Sequence, residues 1–363
     1  MLWAVSAGMC EFRGCPNLLY THPVTKENVN QAERAHIYAF SEGGKRFSRL
    51  SQREKINDID NLMLICDGCH KLIDSSNTDY PAEDLLAMKR EHEERIRLLI
   101  NIKPNLQSEV VIYNCNIGDR PIRIQGFHAN ESITPIFYPA RITPINLSPD
   151  LRLYDNEQDF WSVMVKDLER QLEAHESAIR DKHISLFAVA PQPLLFKLGT
   201  ILNRNYNVSV RQTQGDIASW RWQKEGQTIN LQLHESGVVC SDKAAISIEI
   251  TARLSDEEVE NIFGGQRIYR IVANNCSPAA IQSEADLSAV KQEYRKVLNK
   301  IRLECSSDVQ ISLLPIAPAS VSIEAGRQLM KGDPAVTIYD RNYLTKEWVP
   351  VLPIHKTENK HDH

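Results

Sequence analysis

Two close cysteine pairs, Cys10-x4-Cys15 and Cys66-x2-Cys69, bracket His36 and Asn61, and His70 and Asp74 follow directly after the second pair. Each pair has the ligand spacing of a zinc knuckle, and four thiolates suit tetrahedral Zn²⁺ in a closed, structural site. A loop-rich segment of about 75 residues needs such a staple because its own core is small. The competing reading is four buried free thiols. His70 and Asp74 are spaced i, i+4, so a helix starting near residue 67 puts both on one face. An imidazole and a carboxylate placed there can hold a divalent cation. His36 lies in an apolar-flanked stretch (Ala35, Ile37, Tyr38) expected to form the first strand of a hairpin, with Gly43 and Gly44 as the turn.

The order of these residues resembles an HNH endonuclease of the ββα-metal type. The resemblance implies that His36 is the general base that deprotonates the attacking water and that Asn61 orients its ring. It also makes His70 and Asp74 the ligands of a catalytic cation that neutralises charge on the scissile phosphate and the leaving oxygen. Mg²⁺ is the expected ion, and a His ligand also suits Mn²⁺ or Ni²⁺. Many such enzymes carry an acidic residue or a second His just before the base; Ala35 stands there in this chain. Either the site has fewer protein ligands than usual, or Glu33 contributes.

The elements that position this chemistry belong to a chain of 363 residues, long enough for two or three domains. Hydrophobic residues make up 42%, enough for real cores, and no apolar run approaches a membrane span. No signal peptide is apparent, so a cytoplasmic location is expected. In a reducing compartment the scattered Cys115, Cys240, Cys276 and Cys305 read as small buried residues. Between Arg34 and Lys55, six basic residues face two acidic ones. That patch either tracks phosphates or is a solvated face. From Pro81 to Ile100, the residues Leu85, Met88, His92, Ile96 and Leu99 form a narrow helical stripe. Docking on its own domain is favoured over a dimer seam.

Residues 101–130 carry prolines and short β-rich pieces (Val110–Tyr113, Pro121–Gln125) and read as a connector. Beyond them lies an internal repeat. At an offset of 127 residues, Ala190, Pro191, Gly199 and Leu202 coincide with Ala317, Pro318, Gly326 and Leu329. Apolar residues match at Leu194/Val321 and Phe196/Ile323. Each half reads helix, buried strand, Ala-Pro loop, helix, strand, which argues for parallel sheets with helices on their faces. Ligands of such sheets sit outside the carboxyl ends of the strands, where both Ala-Pro loops fall.

A duplicated half behind an HNH domain resembles the SAVED domain of CBASS anti-phage effectors, itself similar to paired CARF domains. The expected fold is an α+β ββα-metal HNH domain with structural zinc (1–100), the connector (101–130), and an α/β SAVED domain (131–363). Two Rossmann-like halves, about 131–240 and 241–363, make up the last. The resemblance implies that a cyclic di- or trinucleotide from a partner nucleotidyltransferase binds the SAVED domain. Binding then changes a homo-oligomer, from a dimer to something higher, and releases the HNH domain onto double-stranded DNA. Candidate ligand contacts are Gln192 and Ser320 on the two loops, Asn274 and Asn275 after a strand, Trp220 and Trp222 as base-stacking groups, and Arg327 toward a phosphate. For the tryptophans the alternative is packing side by side into one core, and for Arg327 a solvated helix position.

Two other classes compete. A restriction or repair HNH enzyme would read DNA with its C-terminal region, but residues 101–363 hold 29 basic and 32 acidic side chains. A non-enzymatic zinc-knuckle regulator would need none of His36, Asn61, His70 and Asp74.

Overall fold

The structure, a computed structural model, describes residues 1–39, 46–47, 56–75, 80–118, 120–149, 159–213, 220–223, 228–238, 242–342 and 344–354. The expected Gly43-Gly44 turn, Cys240 and most of the basic patch (Lys45, Arg49, Arg53, Lys55) lie outside them. The chain divides into two compact units, Met1–Pro104 and Asn105–His363.

Unit 1 opens with a short helix, α1 (Leu2–Val5), and its core is a two-stranded antiparallel sheet of β1 (Ala32–His36) and β2 (Leu62–Cys66). All five β2 residues are buried. Helix α2 (Asp67–Ser75) follows without a linker and is anchored by Ile73, its buried residue. Helix α3 (Ala82–Ile100) starts after Pro81, whose fixed φ suits the position before a helix. It buries Leu85, Met88, His92 and Ile96, and Leu85 and Met88 join the core around β2. The stripe therefore docks on its own unit. Leu99, its expected last member, is instead 41% exposed.

Unit 2 holds two sheets with one topology. The first half contains β3 (Gln107–Asn114), α4 (Gly126–Ile133), β4 (Tyr138–Pro139), β5 (Ile145–Asn146), α5 (Phe160–Ala174), α6 (Glu176–Ile179), β6 (His183–Val189), α7 (Gln192–Ile201) and β7 (Asn207–Arg211). Next come β8 (Leu231–Gly237), β9 (Lys243–Glu249), α8 (Asp256–Phe263), β10 (Arg267–Ala273), α9 (Glu284–Glu304), β11 (Gln310–Ile316), α10 (Ala319–Gln328), β12 (Ala335–Arg341) and β13 (Trp348–Ile354). The first sheet runs β4-β3-β6-β7, with β5 also on β3, and all these pairings are parallel. The second runs β13-β12-β11-β9-β10-β8, with a parallel centre and an antiparallel strand on each edge. β3 lies between β4/β5 and β6, and β9 lies between β10 and β11, so strand order reverses at β3/β6 and at β9/β11.

Two expectations are corrected. The stretch read as a connector supplies β3, a buried strand paired in register with β6 from Glu109↔Ile184 to Asn114↔Val189. Its expected second β piece, 121–125, is not a strand, and α4 follows it. The halves are also divided differently, because β8, placed in the first half, pairs with β10 and edges the second sheet. A strand's partners depend on long-range pairing, which local composition does not encode.

The 127-residue offset relates both ends of β6 to both ends of β11, and both ends of α7 to both ends of α10. These two helices cross at their backbones. A Cβ on Gly199 would fall on the Ile323 carbonyl and 3.1 Å from Arg327 N; a Cβ on Gly326 would fall on the Phe196 carbonyl and 3.1 Å from Thr200 N. Positions 196, 199 and 200 are the repeat mates of 323, 326 and 327, so the contact is reciprocal. Phe196 belongs to the core of the second half, and Ile323 to that of the first. Gly→Ala inside a helix normally stabilises by up to about 1 kcal/mol. Here Gly199→Ala and Gly326→Ala are each expected to destabilise unit 2 by about 3 kcal/mol, because backbone cannot move aside. Urea unfolding checks the sign.

Candidate functional site

The four cysteine sulfurs lie within 4.8 Å of one another. Cys15 and Cys66 Sγ are 3.9 Å apart, close to the ~3.8 Å that a tetrahedron with 2.3 Å zinc–sulfur bonds requires. Cys66 ends β2 and Cys69 sits in the first turn of α2, so one knuckle is the strand–helix corner itself. Burial pushes the Cys10 thiol up to about 12. Burial also raises Cys69, and the charge of Cys10 adds to that. Burial opposes ionisation of Cys66, but hydrogen bonds from the Cys69 main chain and the Asn17 amide bring it down to about 7. Four thiolates this close repel one another, and a dication removes that cost. The donor set fits Zn²⁺.

His70 Nε2 and Asp74 Oδ2 are 3.6 Å apart on one face of α2. Two donors at about 2.1 Å from one ion stand roughly 3–4 Å apart, so the pair fits a divalent cation. Their side chains are 32% and 56% exposed, open to solvent and a ligand. His36 ends β1 and is half-buried. Glu33 lies on the opposite face of β1 from His36, by strand alternation.

Asn61 has a different role from the expected one. Its Oδ1 accepts from Tyr38 N at 2.8 Å, and its Nδ2 donates to Tyr38 O at 3.2 Å and to Ile56 O at 2.9 Å. It closes the base of the segment between the strands rather than orienting the His36 ring. The ring instead meets Asn57: His36 Nε2 and Asn57 Oδ1 are 3.1 Å apart. Sequence reading missed Asn57, and no spacing rule marks it. Arg46, read from the sequence as one of a basic patch, instead turns its guanidinium onto Ile37 O, Ile73 O, His36 O and Asp74 Oδ1. The end of β1 and the last turn of α2 thus meet at one side chain.

In unit 2 the carboxyl ends of the central strands meet. Gln192 Nε2, in the first turn of α7, donates to Ala317 O in the other Ala-Pro loop at 2.7 Å, and Gln192 Oε1 accepts from Ser322. Ser320 is wholly buried; its main-chain N–H donates to Gln212 Oε1 at 3.3 Å, and its hydroxyl has no partner among the described residues. Asn274 and Asn275 are exposed at the carboxyl end of β10.

Three guesses are corrected. Arg327 lies in the last turn of α10, is 8% exposed, and donates to the carbonyls of Leu202, Asn203 and Tyr206, capping the end of α7. Helix-end carbonyls lack intrahelical partners, and an arginine fork satisfies several. Trp220 is a core residue, 1% exposed and edge-on to Phe187. Trp222 packs against the second half's core instead, so the two tryptophans do not share one.

Two outcomes are expected in unit 1. A strong chelator releases one zinc per chain and exposes residues 1–100 to limited proteolysis, while unit 2 stays resistant. Asn61→Ala lowers the stability of the zinc-loaded protein by about 1–3 kcal/mol, since it strands part-buried backbone groups, whereas Asn57→Ala costs under about 0.5 kcal/mol. Denaturant unfolding separates the two.

Among the described residues, no helix is long and apolar enough to cross a membrane. No curated protein matches the chain significantly. Residues 12–77 match the HNH endonuclease family. Among solved structures, the chain is similar to an Acinetobacter baumannii Cap4 SAVED/CARF-domain containing receptor with the cyclic trinucleotide 2'3'3'-cAAA (14% identity, TM-score 0.42, 75% of this chain and 55% of that one). A Moraxella osloensis Cap4 SAVED/CARF-domain containing receptor matches at 13% identity and TM-score 0.40, over 79% of this chain and 64% of that one. The chain thus spans under two thirds of the length of these receptors. Residues 168–354 match the SMODS-associated and fused to various effectors sensor domain, more than half of the sequence. The chain belongs to this SAVED family, with an HNH endonuclease domain fused ahead of the sensor.

Proposed function

We propose that this protein is a metal-dependent DNA endonuclease gated by a cyclic oligonucleotide, the effector of a CBASS anti-phage system. The observation that carries the reading is the placing of His36, its ring partner Asn57 and the His70/Asp74 pair in one small unit, beside a cluster of four cysteine sulfurs. With Asn57 Oδ1 as acceptor, Nε2 of His36 carries the proton and Nδ1 keeps its lone pair. Nδ1 then takes the proton of a water that attacks the phosphodiester. His70 and Asp74 would hold a divalent cation, Mg²⁺ or Mn²⁺, which when bound would supply positive charge to the scissile phosphate and the leaving oxygen. Asn61 ties Tyr38 to Ile56 and has no part in the chemistry.

The activator is a cyclic di- or trinucleotide from a partner nucleotidyltransferase, bound where strand order reverses in the two sheets. The Gln192–Ala317 contact supports one joint site, since it ties the two Ala-Pro loops together. Exposed Asn274 and Asn275 remain ligand candidates, and Gln192 and Ser320 shape the loops. Binding changes a homo-oligomeric assembly and directs the nuclease domain to double-stranded DNA.

The test is cleavage of supercoiled plasmid by the full chain with Mg²⁺ or Mn²⁺, against a panel of cyclic di- and trinucleotides. Negligible activity alone and strong activity with one member of the panel are expected. His36→Ala should lower that activity about 10²–10⁴-fold with zinc retained. Strong cleavage without nucleotide would favour a restriction-type enzyme, and silence with every nucleotide would remove the gating.

A further inference from the structure

We propose that Arg46 is a positioning residue of the nuclease site: it sets the separation between the base strand and the cation ligands, and it holds Asp74 until a cation arrives. The proposal rests on the endonuclease reading above. Arg46 falls inside the basic stretch, yet its side chain is 12% exposed and turned inward. Nε donates to Ile37 O at 3.0 Å and Nη1 to Ile73 O at 3.0 Å. Nη2 meets both His36 O at 3.4 Å and Asp74 Oδ1 at 3.3 Å. Its own main chain is tied as well, with Ala39 N donating to Arg46 O at 3.2 Å. One fork therefore joins the end of β1 to the last turn of α2. Only a planar guanidinium has donors diverging at the angles needed for all four acceptors.

Two consequences follow for the site. The backbone of the base and the carboxylate of the ligand lie within hydrogen-bond reach of a single nitrogen, so their spacing is not left to the segment between the strands. Asp74 also divides its oxygens, Oδ1 toward Arg46 and Oδ2 toward His70 Nε2. The oxygen beside the imidazole is the one presented to an ion. The guanidinium charge opposes that ion, so a neutral replacement should favour the cation while loosening the geometry. A residue that only supported folding would lose both together.

The experiment uses the full, zinc-loaded chain as wild type, Arg46→Gln, Arg46→Lys, Asp74→Asn and His36→Ala. Mn²⁺ binding is titrated by electron paramagnetic resonance of the free ion. Plasmid cleavage is measured with Mn²⁺ and the activating nucleotide from the panel. Arg46→Gln is expected to bind Mn²⁺ about three- to tenfold more tightly and to cleave on the order of 10²-fold more slowly. Arg46→Lys keeps the charge, so its Mn²⁺ affinity should stay within about twofold of wild type while cleavage still falls. Asp74→Asn should weaken Mn²⁺ binding. Zinc content is read for each variant, and if Arg46→Gln loses zinc, the Lys variant carries the test. Weaker Mn²⁺ binding in step with lost cleavage in Arg46→Gln would overturn the proposal, as would Arg46 variants that cleave like wild type. A silent wild type would sink the endonuclease reading itself, and the proposal with it; active Arg46 variants beside an inactive His36→Ala would sink only the role given to Arg46.

Discussion

Helix backbones can touch where a glycine leaves room for the other helix's carbonyl, and unit 2 is built on one such contact. Gly199 sits over the Ile323 carbonyl and Gly326 over that of Phe196, four positions related in pairs by the repeat. Because the axes come so close, each half sends one large side chain, Phe196 or Ile323, into the other half's core. The halves are therefore two sheets sharing a seam. Their carboxyl edges follow from it. The Ala-Pro loops that begin α7 and α10 are held near enough for Gln192 to reach Ala317 O, and Arg327 reaches back to finish the end of α7.

Unit 1 solves a different problem. Its core is small, and burial together with neighbouring sulfurs raises the cost of ionising Cys10 and Cys69. Zinc at these four sulfurs would turn that repulsion into a cross-link between the N-terminal loop and the β2–α2 corner. His70 is the next residue after Cys69, and Asp74 lies one turn further along the same helix. The cysteine cluster and the proposed cation ligands are thus two stations on one short helix, so loosening the first would displace the second. On the other side, β1 carries His36 in register with Leu62, and Asn61 closes the intervening segment onto Tyr38 and Ile56.

Several polar side chains that look available for ligands are engaged inside the protein. Arg327, Gln192, Asn61 and Arg46 all hydrogen-bond backbone carbonyls. At helix ends and loop bases such carbonyls have no regular partner, and leaving them buried and unpaired costs more than burying an arginine or amide that satisfies them. Trp220 follows the same logic through apolar area, filling the space between β3, β6 and α4.

The sequence alone was enough to reveal the features that depend on residue type and local spacing. Cysteine spacing marked the four sulfurs that cluster, an i, i+4 interval put His70 and Asp74 on one face, and an exact-length duplication located α7, α10 and the strands around them. These signals are short-ranged, or repeat at a fixed interval, so they survive in one dimension. Pairing and side-chain direction were decided only in three dimensions. β3 became a central strand because β6 offered it a parallel partner, and β8 crossed to the second sheet because β10 had a free edge. Asn57, not Asn61, met the His36 ring, and Arg46 turned inward, because each side chain went where unpaired donors or acceptors were closest after the chain had closed on itself.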